Sequence, residues 1–245
     1  MKQNLVYIFI ISMLFFCNSD NYKAELLGNW YFYDKPESSK HLNEFKMYSD
    51  SVVINSIMGK TIAKWKATNQ QIHLYDIQGY PGGSELTYDY KLTSNNLLDL
   101  KVYGDTIIEF KNILKAQNAM DFLQKSMSLK IDLPEKNKEL LAIGNSRFNF
   151  IIYAGYDDGR LKFITDNSDN LRNVDNEISD FKEKLGPRPF SKARFLLIAD
   201  KNIPDNKMDS LKQILNQTSI KRIFRAYKND TINYKNNLIW YGTTD

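Results

Sequence analysis

Cysteine is almost absent from this chain. Cys17 is the single cysteine in 245 residues, so no intramolecular disulfide can form and the fold rests on its apolar core alone. Histidine is nearly as scarce, with only His41 and His73. That inventory leaves no His/Cys cluster for zinc and no Cys–His or Ser–His–Asp set for nucleophilic catalysis. Long hydrophobic runs are missing as well. The apolar run Leu5 to Phe16 falls short of the ~20 residues that cross a bilayer. Arginine is absent from the first half: residues 18–114 hold 10 Lys, no Arg and 12 acids, net −2, whereas residues 115–245 hold 15 Lys, 7 Arg and 17 acids, net +5. The split points to two modules of separate origin. The basic excess is too modest to indicate a nucleic-acid partner, and nothing in the sequence calls for a cofactor or a metal.

The run Leu5–Phe16 follows a lone Lys2 and ends at Cys17. Its length and flanking charge are those of a signal-peptide core. A single Cys directly after such a core resembles the lipobox of bacterial lipoproteins, with Leu14 at the position three before the Cys, although Phe15 and Phe16 stand where that family usually has small residues. The resemblance implies cleavage before Cys17, lipidation of its thiol, and an exported, membrane-anchored chain on the periplasmic or surface face of a bacterial envelope. More than one acyl chain is needed for a stable anchor. On this reading residues 1–17 are the signal and 18–26 a tether.

Residues 27–112 show short runs of period-two alternation. In Glu85–Leu92, Leu86, Tyr88, Tyr90 and Leu92 fall on one face and Glu85, Thr87, Asp89 and Lys91 on the other, as in a strand with one buried face. Similar runs occur at residues 29–33, 43–48, 52–57, 61–67, 71–75, 97–103 and 106–110, separated by turn residues such as Asp50-Ser51, Pro81-Gly82-Gly83 and Gly104-Asp105. Eight short strands predict an antiparallel up-and-down barrel or a strongly curved meander. The opening Leu27-Gly28-Asn29-Trp30 resembles the start of small lipocalin-like domains of exported lipoproteins, which implies that Trp30 plugs the closed end. Such a barrel can hold one small apolar ligand, lined here by Trp65, Tyr88 and Tyr90, or be filled by its own side chains.

The period changes in the second half. Residues 113–128 read as a linker helix, with Met120, Leu123 and Met127 at helical spacing. Residues 129–245 then alternate strand and helix. Arg147–Ala154 and Arg160–Thr165 flank the turn Asp157-Asp158-Gly159, whose Asp-Gly pair suits a type I′ hairpin. Val174, Ile178, Phe181 and Leu185 stripe one helix, and Met208, Leu211 and Leu215 another. Between them Ala193–Ala199 is apolar enough for a central strand. Strands follow at Ile220–Ala226 and Asn237–Gly242. The order predicts a small α/β sandwich with two helices on one face of a sheet, so the whole chain reads as an α+β multi-domain protein.

The segments Lys130-Ile131-Asp132-Leu133-Pro134-Glu135, Ile198-Ala199-Asp200-Lys201-Asn202-Ile203-Pro204 and Ser219-Ile220-Lys221-Arg222-Ile223 are similar, in order and spacing, to the core of the periplasmic domain of the ExbD/TolR biopolymer-transport family. Members are small subunits of proton-driven envelope motors, partnered with ExbB/TolQ-type channels. Their proton role needs a transmembrane aspartate, and Leu5–Phe16 contains no acid, so that role does not carry over. What the resemblance implies is a module that contacts envelope proteins or peptidoglycan, without enzymatic activity.

The strongest candidate contact surface is the basic run Lys221, Arg222, Arg225 and Lys228. At a sheet edge it could bind an acidic segment or an added strand, or serve only to block edge-to-edge aggregation. His73, in a strand, reads as an exposed or hydrogen-bonded strand residue. Asp166–Asn170 reads as a solvated turn capping the next helix, and Asp200 as a helix N-cap.

Overall fold

The computed structural model describes residues 22–33, 42–56, 59–79, 85–103, 106–136, 139–143, 148–165, 167–228 and 240–244. Cys17, His41 and the turn at Pro81–Ser84 lie outside them. The chain divides into two units between Phe122 and Leu123.

In the first unit the eight alternating runs become β1 (Gly28–Tyr33), β2 (Leu42–Met47), β3 (Ser51–Ser56), β4 (Gly59–Ala67), β5 (Gln71–Gln78), β6 (Glu85–Ser94), β7 (Leu97–Tyr103) and β8 (Ile107–Lys115). Each pairs antiparallel with the next, and β8 returns to β1 through Trp30↔Lys115 and Tyr31↔Leu114, closing the barrel. Alternation sends one face of every strand inward. Trp30, Phe32, Phe45, Trp65, Tyr88, Leu98, Leu100 and Ile113 meet there in one buried cluster, with Leu86, Tyr90 and Leu92 packed against it. Closure requires curvature, and register shifts interrupt the β4–β5, β6–β7 and β7–β8 ladders.

The tether is shorter than its composition predicts. Residues 22–26 form helix α1, whose Leu26 is fully buried in the barrel cluster and whose Leu26 carbonyl accepts a 2.7 Å hydrogen bond from Trp30 Nε1. Burial of one leucine and satisfaction of the indole N–H hold the helix to the barrel end. The predicted linker helix is also trimmed, because β8 runs on to Lys115 and α2 spans Ala119–Met127. Of the predicted stripe Leu123 is buried, joined by Ala119 and Phe122, while Met120 and Met127 are only half-buried. Phe122 stacks on Tyr31 at 5.7 Å between ring centroids, so its first turn belongs to the barrel unit.

The second unit holds a six-stranded mixed sheet in the order β11-β10-β12-β13-β14-β9. These are β9 (Leu141–Ile143), β10 (Asn149–Asp157), β11 (Arg160–Thr165), β12 (Arg194–Ala199), β13 (Ile223–Tyr227) and β14 (Trp240–Thr244). β10, β12 and β13 run parallel, and the remaining neighbours pair antiparallel. The β10–β11 turn has Asp158 at φ 46° and Gly159 at φ 78°, the positive values a type I′ turn demands. The helices are α3 (Val174–Leu185), the single turn α4 (Pro187–Phe190) and α5 (Asp205–Gln217). Val174 and Ile178 of α3 and Met208, Leu211 and Leu215 of α5 share one cluster with Phe150, Ile152, Phe195, Leu197 and Ile223. In β12, Phe195 through Ala199 are all 0% exposed, which explains its unbroken apolar sequence.

Candidate functional site

The basic run does not lie on an edge strand. Parallel pairing with β12 on one side and antiparallel pairing with β14 on the other place β13 inside the sheet, and β11 and β9 are its edges. Strand addition at Lys221–Lys228 is therefore excluded, since the ladder groups of β13 are already used on both sides. The sequence alone hid this, because the pairing partner β14 follows a long connection.

The four basic residues are not one patch. Lys221 and Arg222 precede the strand: Lys221 Nζ donates to the Asn216 carbonyl at 3.0 Å, and Arg222 Nη2 donates to the Ser191 carbonyl at 3.0 Å. Arg222 acts on a further arginine. Arg194 Nε donates to Asn149 Oδ1 at 2.7 Å and its guanidinium lies 5.2 Å from the Phe224 ring centroid. Burial and, secondarily, the charge of Arg222 hold its pKa below the ordinary arginine value. Lys228 Nζ lies 3.4 Å from Glu135 Oε1, an exposed pair that contributes little. Only Arg225 points to the face of the sheet that also carries Tyr227. Its guanidinium carbon lies 5.9 Å from the Tyr227 ring centroid, and Lys136 Nζ lies 4.7 Å from the same centroid. Lys136 was not legible as a neighbour of this pair, because it is 91 positions from Tyr227, whereas Tyr227 lies only two residues from Arg225 on the same strand face.

Asp200 takes a different part from helix capping. Its Oδ2 accepts the Asp132 backbone N–H at 2.6 Å and its Oδ1 the Asn202 N–H at 2.8 Å. Helix α5 begins only at Asp205, with Pro204 at its N-cap. The carboxylate thus pins the extended segment around Asp132 to the end of β12. Lys201 adds an ion pair to Asp132 at 2.6 Å, which holds the Lys201 pKa above the usual lysine value. Of the turn Asp166–Asn170, Asp166 lies outside the described residues, and α3 has Asn173 at its N-cap with no side-chain cap bond. Thr165 Oγ1 and Ser168 Oγ instead accept loop N–H groups at 3.0–3.3 Å.

In the barrel, Trp65 and Tyr90 border different clefts. Trp65 borders a cleft of about 790 Å³ together with Lys23, Asp50, Lys64 and Asp76. Tyr90 borders a second, of about 650 Å³, with Glu25, Gln70 and Asp89. Tyr88 borders neither and packs against Phe45 at 6.2 Å. Trp65 Nε1 donates to the Tyr48 carbonyl and the Tyr90 hydroxyl to the Thr68 carbonyl, each at 2.8 Å. Burial first, then the Glu25 charge, raises the Tyr90 pKa. His73 is half-buried in β5, with Nδ1 2.9 Å from Thr87 Oγ1 and Nε2 3.6 Å from Glu85. Among the described residues no helix is long and apolar enough to cross a membrane, and no group of three His, Cys, Asp or Glu could hold a metal.

Comparison of the chain with family models, with curated proteins and with solved structures finds no match.

Proposed function

We propose that this chain is an exported lipoprotein, tied by acylated Cys17 to a membrane of the bacterial cell envelope, and that it works without catalysis as an interaction or scaffold protein. In this reading the first unit is a lipocalin-like domain and the second, residues 129–245, an ExbD/TolR-like α/β sandwich with α3 and α5 on one face. Its partners are envelope proteins or peptidoglycan, with a place beside energised outer-membrane transport. One observation carries the choice of contact over carriage. Trp30, Trp65, Leu98 and Ile113 pack with other barrel side chains in one buried cluster, which favours recognition by the outer surfaces. The competing role, carriage of a small apolar ligand, has the clefts at Trp65 and Tyr90 in its favour, but Lys23, Asp50, Lys64 and Asp76, and Glu25 and Asp89, line them. An apolar ligand would take those charged groups out of water and offer them no hydrogen bond in return.

The test is metabolic labelling with palmitate followed by fractionation and crosslinking. Wild type should be labelled and sediment with membranes, and Cys17→Ser should be unlabelled and released. Crosslinking in the anchored state should yield a discrete envelope adduct. A mature protein that starts downstream of residue 17, unlabelled and freely soluble, overturns the anchored reading.

A further inference from the structure

Arg225 differs from the arginines around it. Arg194 and Arg222 each donate to an oxygen at 3.0 Å or less. Arg225 Nε is shut away from water and, among the described residues, has no hydrogen-bond partner. A buried donor of a charged group left without an acceptor is costly, and native structures keep one where a partner completes it.

Among the described residues the surroundings supply further donors, and the neighbouring Glu135 carboxylate is paired with Lys228. Tyr227 sits two residues along β13 from Arg225, on the same face. Its ring has the Arg225 guanidinium 5.9 Å and the Lys136 ammonium 4.7 Å from its centroid, both within cation–π range. Lys136 Nζ donates to Tyr227 Oη at 3.5 Å, which leaves the phenolic proton free for another acceptor. Lys136 and Arg225 enter no ion pair among the described residues, whereas nearby Lys228 is matched by Glu135. Two half-buried cations and a hydroxyl donor therefore converge on one ring.

We infer that Arg225, Lys136 and Tyr227 form a binding site for an oxyanion, either a carboxylate or a phosphate group. The planar guanidinium carries its N–H donors in a fixed geometry suited to two oxygens of one anion. Lys136 adds charge and the Tyr227 hydroxyl a third donor. The site deepens the contact reading of the second unit, and rests on it for biological purpose, by naming what a partner must present there.

The experiment is an NMR titration of the purified full chain, labelled at arginine, with sodium acetate and separately with sodium phosphate, ionic strength being held constant with chloride. The Arg225 Nε–Hε signal is assigned by its loss in Arg225→Lys. It should shift saturably with at least one of the two anions, while the Arg194 and Arg222 signals do not. Tighter saturation by acetate assigns a carboxylate, and tighter saturation by phosphate a phosphate. Lys136→Met and Tyr227→Phe should each weaken that binding by about fivefold or more, the loss expected for one donor to a charged acceptor. If one variant fails to fold, the other decides. Absence of saturable shifts at Arg225, or unchanged affinity in the folded variants, overturns the site. The titration needs no membrane, so its failure leaves the anchoring intact, and release of Cys17→Ser from membranes leaves this site untouched.

Discussion

Tyr31 donates its phenolic proton to Glu44 on the outer wall of the barrel, and Glu44 is only 2% exposed. The β1–β2 register sets the two residues opposite one another, and Phe122 stacks over the tyrosine ring. The other Glu44 oxygen takes Asn55 Nδ2 at 2.7 Å and Lys46 Nζ at 3.2 Å. A carboxylate at this depth is tolerated because donors surround it. Burial first, then the Glu44 hydrogen bond and charge, raises the Tyr31 pKa well above its ordinary 10.0.

Tyr31→Phe should therefore destabilise the barrel unit by about 1–3 kcal/mol, the cost of taking a donor from a buried acceptor. Its pH dependence has a definite sign. The folded protein holds the Tyr31 proton more tightly than the unfolded chain, so this contribution is present in full below the unfolded value of 10.0 and is lost as pH rises above it. Urea midpoints from about pH 8 to about pH 11 should fall less steeply in Tyr31→Phe than in wild type.

Lys115 acts in the opposite sense at the barrel end. Its Nζ lies 5.1 Å from the Trp30 ring centroid and 3.1 Å from the Glu25 carbonyl, and burial lowers its pKa from 10.5. The unfolded chain binds this proton more tightly, so stability rises with pH between the folded value and 10.5. Lys115→Met should remove that rise, seen as a flatter difference curve in urea unfolding on the alkaline side of neutrality.

Gly28 joins α1 to β1 with φ 120°, and a Cβ there would lie 2.9 Å from Lys115 Cε. The lysine end can move aside, but the backbone strain cannot be relieved. Gly28→Ala should lower barrel stability by roughly 1–3 kcal/mol, read as a lower thermal midpoint of the first unit. An unchanged midpoint would mean that the entry turn relaxes freely.

Asp200→Ala should release the segment it pins. The expected cost is about 1–3 kcal/mol for the orphaned Asp132 and Asn202 N–H groups. Hydrogen exchange gives the local readout: the Asp132 amide should lose protection while β12 amides keep theirs. Equal loss across β12 would make Asp200 a global rather than a local support.

Much of the fold was legible because its signals are local. Leu86, Tyr88, Tyr90 and Leu92 alternate with polar residues, and all four join the barrel cluster. The α5 stripe of Met208, Leu211 and Leu215 is likewise buried as read. Three-residue β9 and one-turn α4 escaped notice because neither is long enough to show a period. The α1 helix was missed because its polar residues hide one decisive apolar contact, Leu26. Of the candidate basic residues only Arg225 proved chemically unusual, and its distinction lies in one nitrogen's surroundings, which no spacing rule reaches.

By itself the chain determined two modules, one of period two and one alternating strand with helix, because side-chain direction along a helix or strand follows from near neighbours. It pointed as well to a central place for β12, since only apolar residues fill Phe195–Ala199, all of them buried in the structure. Tertiary pairing alone decided that the eight strands close through Trp30 and Lys115, that β13 is interior, and that Lys136 meets Tyr227 beside Arg225. Those outcomes depend on which distant segment supplies each strand's neighbour, and the same alternation serves an open or a closed sheet, an edge or a centre, equally well.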